Sequence, residues 1–130
     1  MRQNDKARNA VTDARISYHI NVALLRFADF VNYHKRLHAA DGECPVRIWG
    51  HGAAFDNALL RAAYTKTHIT APWHHRGDMC YRTMKNLHPE VAAGTNANEH
   101  NALSDAVQQA RHLCAIFEHI RQGGAPHVNQ

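Results

Sequence analysis

The sequence predicts a helix-rich α/β chain with few strands. Three observations lead there: two long segments whose apolar residues recur at helical spacing, one short β-branched run closed by a glycine turn, and a length of 130 residues, which holds one domain at most. With 45% hydrophobic and 20% charged residues, the composition is that of an ordinary globular chain with a single core.

The first element is a helix within residues 3–38, where Ile20, Ala23, Leu24, Phe27 and Val31 share one face. Asp41-Gly42 and Pro45 break it. Val46-Arg47-Ile48-Trp49 then reads as a short strand, ended by Gly50-His51-Gly52. Helical spacing returns over residues 55–65 through Phe55, Leu59, Leu60, Ala63 and Tyr64. Residues 67–77 are irregular, with Pro72 and Gly77, and residues 79–87 read as a helix stopped by Pro89. After a loop at Gly94-Thr95-Asn96, residues 98–121 form the longest predicted helix, with Ala102, Ala106, Ala110, Leu113, Phe117 and Ile120 on one face. Gly123-Gly124 and Pro126 end it, leaving residues 123–130 as a flexible tail.

A single strand is physically awkward, because its backbone N–H and C=O groups need partners. The partner is a weak strand that the pattern hides, a segment outside the chain, or another chain. A sheet edge left exposed by a missing segment would favour a homodimer.

Charge narrows the partners. Lysine plus arginine number 15 against 11 acidic residues, a net +4 that permits nucleic acid without demanding it. There is no polybasic block and no apolar run of the roughly 18 residues that a membrane helix needs. The first six residues, Met1 to Lys6, lack the apolar core of a secretory signal. Three scattered cysteines, Cys44, Cys80 and Cys114, point to free thiols in a cytoplasmic chain, with Cys80 and Cys114 read as buried. No serine or cysteine carries a nucleophile motif.

Two segments could carry chemistry. In Trp49-Gly50-His51-Gly52-Ala53-Ala54-Phe55-Asp56-Asn57, a strand runs into a glycine turn and an aspartate opens the next helix. Asp56 reads either as a capping residue or as a carboxylate held where α/β sheets bind ligands, at the carboxyl end of a strand. In His100-Asn101-Ala102-Leu103-Ser104-Asp105, the outer two residues would stand about 140° apart on a regular helix. They meet one site only if His100 belongs to the loop or first turn. A carboxylate there suits a hard cation, and a histidine can take a proton from water.

Together these segments resemble the DEDDh branch of the 3′-5′ exonucleases, and within it a bacterial and phage group described as 3′-5′ exoribonuclease-like. Phe55-Asp56-Asn57 matches the second exonuclease motif, and His100, Ala102 and Asp105 match the His-x-Ala-x-x-Asp of the third. Cys80 to Leu87 between them is also similar, and the likeness spans roughly residues 46–120 and extends to the amphipathic helix before them. It implies a ribonuclease H-like fold, with residues 1–122 as a partial exonuclease domain truncated at the N-terminus. The family's opening Asp-x-Glu has no counterpart on a strand here, since Asp41-Gly42-Glu43 has the spacing but sits in a turn.

The resemblance further implies two Mg²⁺ or Mn²⁺ ions acting on the 3′ end of single-stranded DNA or RNA. His100 would be the general base, Asp105 a direct metal ligand and Asp56 a ligand of the second ion. His51, Phe55, Asn57, Trp73, Arg82 and Asn101 would meet substrate, with Trp73 stacking on a base or packing behind Pro72. With the first motif missing, activity is expected to be impaired. The rival reading is a non-catalytic nucleic-acid-binding or oligomerisation remnant. A third reading is a helical interaction module in which His100 and Asp105 are capping residues. His74, His75, Asp78 and Cys80 have ligand chemistry for zinc but no paired spacing. Of the 12 histidines, His19, His34, His38, His112 and His119 read as helix-surface residues.

Overall fold

The computed structural model describes residues 19–39, 45–95 and 101–127. The expected helix before residue 19, the Asp41-Gly42-Glu43 turn, Cys44 and His100 lie outside the described residues. Contacts divide the chain at the Cys80–Tyr81 junction into two compact units.

The first unit, described from residue 19 to residue 80, begins with helix α1 (Ile20–His38). Strand β1 (Ile48–Gly50) and helix α2 (Asp56–Lys66) follow. A 3₁₀ turn (His75–Gly77) then leads into strand β2 (Asp78–Cys80). The strands pair in parallel, Ile48 with Asp78, Trp49 with Met79 and Gly50 with Cys80, and α2 is the crossover that a parallel pair requires. The partner of β1 is therefore a weak strand of this same chain. It corrects the expected helix start at residue 79, since helix α3 begins only at Tyr81.

Leu24 from α1, Tyr64 from α2 and Trp73 form the buried core of this unit, with Phe27, Ile48 and Leu60 packed against them. Phe27 and Tyr64 both meet Trp73 edge to face, with centroids 6.4 and 5.7 Å away. The Tyr64 hydroxyl donates to the carbonyl of Leu24 at 2.8 Å, which ties α2 to α1 and satisfies a buried polar atom. Of the expected α1 face, Leu24 and Val31 are buried and Phe27 is half-buried, but Ile20 and Ala23 are exposed and Ala28 joins the buried stripe.

The second unit, described from residue 81 to residue 127, contains α3 (Tyr81–Leu87) and helix α4 (Ala102–Arg121). Its buried side chains include Tyr81, His88, His112, Leu113 and Ile116. The expected α4 face is corrected here. Leu113 is buried, but Ala102, Ala106, Ala110 and Phe117 face solvent, and the buried stripe is His112, Leu113 and Ile116. His112 is no surface residue. Its Nδ1 lies 2.8 Å from the Tyr81 hydroxyl and its Nε2 2.7 Å from the carbonyl of Val91, so both ring nitrogens have partners.

Among the described residues the chain is thus mixed α/β and helix-rich, with four α-helices and two parallel strands. No helix among them is long and apolar enough to cross a membrane.

Candidate functional site

The turn after β1 is wound onto the start of α2. The amides of Phe55 and Asp56 both donate to the carbonyl of Gly52, at 2.8 and 2.9 Å. Asp56 Oδ2 in return accepts the Gly52 N–H at 2.8 Å. Asp56 therefore does cap, but it caps the turn rather than the helix's own amides. It remains exposed, and beside it the Phe55 ring is 68% exposed. An aromatic ring and a carboxylate thus face solvent together just beyond the carboxyl end of a parallel strand.

Asn57 turns inward. It is 2% exposed, and its amide Nδ2 donates to the carbonyl of Ile48 at 3.0 Å and to Asp78 Oδ1 at 3.2 Å. Gly50 permits this approach, since a Cβ there would stand 2.3 Å from Asn57 Oδ1. Asp78 has two further partners. Its Oδ1 accepts the Trp73 indole N–H at 2.8 Å, and its Oδ2 faces Arg61 Nη1 at 3.4 Å. Trp73 is buried in the core, so it packs rather than offering a face to a base. Asn57 and Trp73 hold the frame behind Phe55 and Asp56. His51 is exposed in the turn, and its carbonyl accepts the Cys80 thiol at 3.9 Å.

In the second unit Asn101 is the N-cap of α4. Its side-chain oxygen accepts the amide of Ser104 at 3.0 Å, and its carbonyl accepts the amide of Asp105 at 2.9 Å. Asp105 stands half-buried in the first turn, favoured there by the helix dipole. A groove of about 560 Å³ runs along this end of α4, lined by Asn101, Ser104, Gln108 and Arg111 among others. Arg82 is exposed on the first turn of α3.

The histidine cluster of the first unit does not form a metal cage. The His74 and His75 rings lie tilted against each other with centroids 4.0 Å apart, and the charge of His74 holds His75 below the ordinary imidazole range. Asp78 Oδ1, however, is already bonded to Trp73 and Asn57. Among the described residues, one group of three metal-type donors comes together elsewhere: His88, Glu90 and His119, with ligand atoms within 4.8 Å of one another. Glu90 Oε1 lies 3.2 Å from His88 Nδ1 and 2.9 Å from His119 Nε2, and Oε2 lies 3.4 Å from His127 Nε2. A hydrogen bond from its own backbone amide holds the Glu90 carboxyl below the ordinary range, with help from the three histidines and against some desolvation.

Sequence reasoning missed this group. The sequence presents His119 as a helix-surface residue without a paired carboxylate, yet Glu90 reaches it from 29 positions away in sequence. The histidine excess was the available signal, but short-range spacing could not pair residues so distant. Cys114 is likewise exposed and Cys80 only half-covered, which corrects their expected burial.

The donor chemistry at Asp56 and Asp105 suits a hard cation, since each offers a carboxylate oxygen, and such ions are held by one or two carboxylates completed by water and phosphate. Neither belongs to a preassembled group of three donors among the described residues.

No curated protein and no solved structure matches the chain. A family model does, described as the 3'-5' exoribonuclease Rv2179c-like domain, over residues 1–117. That match takes in the whole segment before Val46, where the exonuclease motifs alone gave no purchase. The chain belongs to the 3'-5' exoribonuclease Rv2179c-like family.

Proposed function

We propose that this chain hydrolyses RNA from the 3′ end with the help of Mg²⁺ or Mn²⁺, on a ribonuclease H-like scaffold of the DEDDh kind. One observation carries the reading beyond family membership: Phe55 and Asp56 stand exposed together at the carboxyl end of β1, while Asn57, the third residue of the motif, is locked into the strand pair behind them. A terminal base can stack on the Phe55 ring, and the neighbouring carboxylate then lies near the last phosphate. Asp56 and Asp105 are the residues that would hold divalent ions. When bound, such ions activate water and stabilise the departing 3′ oxygen. His100, in the role the motif implies, takes the proton of the attacking water. Arg82 meets a phosphate. Asn101 fixes the first turn of α4 and thereby the height of Asp105.

The Asp-x-Glu of this sequence, Asp41-Gly42-Glu43, reads from the sequence as a turn rather than a strand, so the hydrolysis we expect is slow. The test is digestion of a 3′-hydroxyl single-stranded RNA, with Mn²⁺ and with EDTA, beside Asp56→Asn and Asp105→Asn. Stepwise shortening that needs Mn²⁺ and falls at least roughly tenfold in each variant supports the reading. A DNA strand of the same sequence should be cut more slowly. Shortening that survives both substitutions sinks the residue assignment. RNA binding without any shortening would favour a non-catalytic member of the family.

A further inference from the structure

We propose that His88, Glu90, His119 and His127 form a structural site for a divalent transition-metal ion of the zinc class, separate from the nuclease chemistry. The four residues come from three pieces of the second unit. His88 and Glu90 follow the end of α3, His119 lies on the last turn of α4, and His127 belongs to the segment after it. Without a shared ligand, nothing in the sequence requires three imidazoles to converge on one carboxylate.

Two of the donor separations are already those of a bound state. Tetrahedral zinc with bonds of about 2.0–2.1 Å holds neighbouring donor atoms about 3.3 Å apart. Glu90 Oε1 already lies 3.2 Å from His88 Nδ1 and 2.9 Å from His119 Nε2. His127 Nε2 is 3.4 Å from the other carboxylate oxygen, and its side chain is mostly exposed, so it is free to turn in as the fourth ligand. His88 itself is 2% exposed. A donor set of three imidazoles and one carboxylate suits zinc and its neighbours rather than Mg²⁺ or Ca²⁺, and four protein donors leave no open position for catalysis.

The surrounding backbone holds these ligands in place. Gly124 packs so closely on His119 that a Cβ there would stand 2.0 Å from Nε2. The Gly124 amide donates to the carbonyl of His119 at 3.0 Å, and the His127 amide donates to the carbonyl of Leu87 at 2.7 Å. The chain after α4 is thus laid back over the end of α3, and this brings His127 to Glu90. A metal ion here would staple the segment just after α3 to the last turn of α4.

The experiment is Co²⁺ and Zn²⁺ titration of the full chain after EDTA treatment and dialysis. One equivalent of Co²⁺ should give the visible absorption of a tetrahedral site, without the near-ultraviolet band of a cysteine ligand. Zinc should raise Tm by roughly 10 °C at a hundredfold excess over Kd, and Glu90→Gln should remove this rise while leaving any rise with Mg²⁺ unchanged. Glu90→Gln and His119→Ala should abolish both signals, and His127→Ala should weaken them. His34→Ala, on the exposed face of α1, should leave them intact. Gly124→Ala removes no donor and should still weaken binding by crowding His119. Circular dichroism of each variant without metal separates lost binding from lost folding. Tetrahedral absorption that persists in Glu90→Gln, a cysteine band, or no one-to-one binding by a folded chain would overturn the proposal. RNA digestion in Mg²⁺ is read separately, so the two proposals fail independently.

Discussion

Asn57 donates to Asp78 Oδ1 at 3.2 Å and to the carbonyl of Ile48 at 3.0 Å, and Ile48 and Asp78 are themselves register partners in the strand pair. One buried amide at the start of α2 therefore spans both strands. Two three-residue strands make few ladder bonds, so this side chain supplies part of what the sheet lacks. Asn57→Ala should destabilise the protein by about 1–3 kcal/mol, because Asp78 and Ile48 each lose a donor. Asn57→Asp is nearly isosteric and should cost more, because it sets a carboxylate against another carboxylate and a carbonyl. Urea unfolding of the two variants gives the order.

Two glycines predict a steric contrast. A Cβ on Gly77 would stand 2.3 Å from the carbonyl oxygen of Val46, and that neighbour is backbone. Gly77→Ala should cost about 1–3 kcal/mol, as overpacking does. Gly94 has nothing within 4 Å of an added Cβ, so Gly94→Ala should change stability by less than about 0.5 kcal/mol. Equal effects at the two positions would show that the close approach of the 3₁₀ turn to Val46 is not a feature of the folded chain.

The particular elements explain how far the sequence could be read. A strand before the Gly50-His51-Gly52 turn was legible because β-branched and aromatic residues meet that turn, although β1 spans Ile48–Gly50 rather than residues 46–49, and Asp56 stood out as the carboxylate that opens the next helix. Its partner was hidden because Asp78-Met79-Cys80 has neither period nor strand propensity, and Asp78 is there for its hydrogen bonds. In α4 a buried histidine counted as polar and a run of exposed alanines as apolar, which rotated the predicted face away from Ile116. The Glu90 group escaped because its members are joined only through tertiary structure.

The Tyr81–His112 pair allows a hydroxyl-deletion test. Tyr81 is 3% exposed, and its hydroxyl lies 2.8 Å from His112 Nδ1, while Nε2 faces the carbonyl of Val91. With Nε2–H donating to that carbonyl, Nδ1 accepts from the tyrosine. Tyr81→Phe should cost about 1–3 kcal/mol by leaving a buried nitrogen unpaired, more than a surface tyrosine deletion such as Tyr33→Phe. Thermal or urea unfolding of both variants checks it.

Burial raises the phenol pKa of Tyr64 and of Tyr81 above the ordinary value of 10.0. The sign follows from linkage. The folded state holds these protons more tightly than the unfolded chain, so their contribution is full below the unfolded pKa and is lost as pH rises through the folded one. Stability should therefore fall on the alkaline side, and phenolate absorbance from these two residues should emerge together with unfolding. Tyr64→Phe should shift the alkaline midpoint upward relative to its own stability at neutral pH. An alkaline transition unchanged in both Tyr64→Phe and Tyr81→Phe would contradict this.

His68 ends α2 in a conformation that suits glycine. Its φ is +56°, while the amide of Ile69 donates to the carbonyl of Tyr64 at 3.1 Å and the amide of His68 to that of Thr65 at 3.2 Å. This is a Schellman closure with a histidine in the left-handed position, and Ile69 packs against the core cluster to which Tyr64 belongs. A side chain there carries a steric cost of about 1 kcal/mol that glycine avoids, partly offset by glycine's greater freedom in the unfolded chain. His68→Gly should stabilise the first unit by about 0.5 kcal/mol, and His68→Val should destabilise it, since a β-branched residue tolerates this region least. Denaturant midpoints of the two variants should fall on opposite sides of the parent. The same sign for both would mean that α2 ends in some other way.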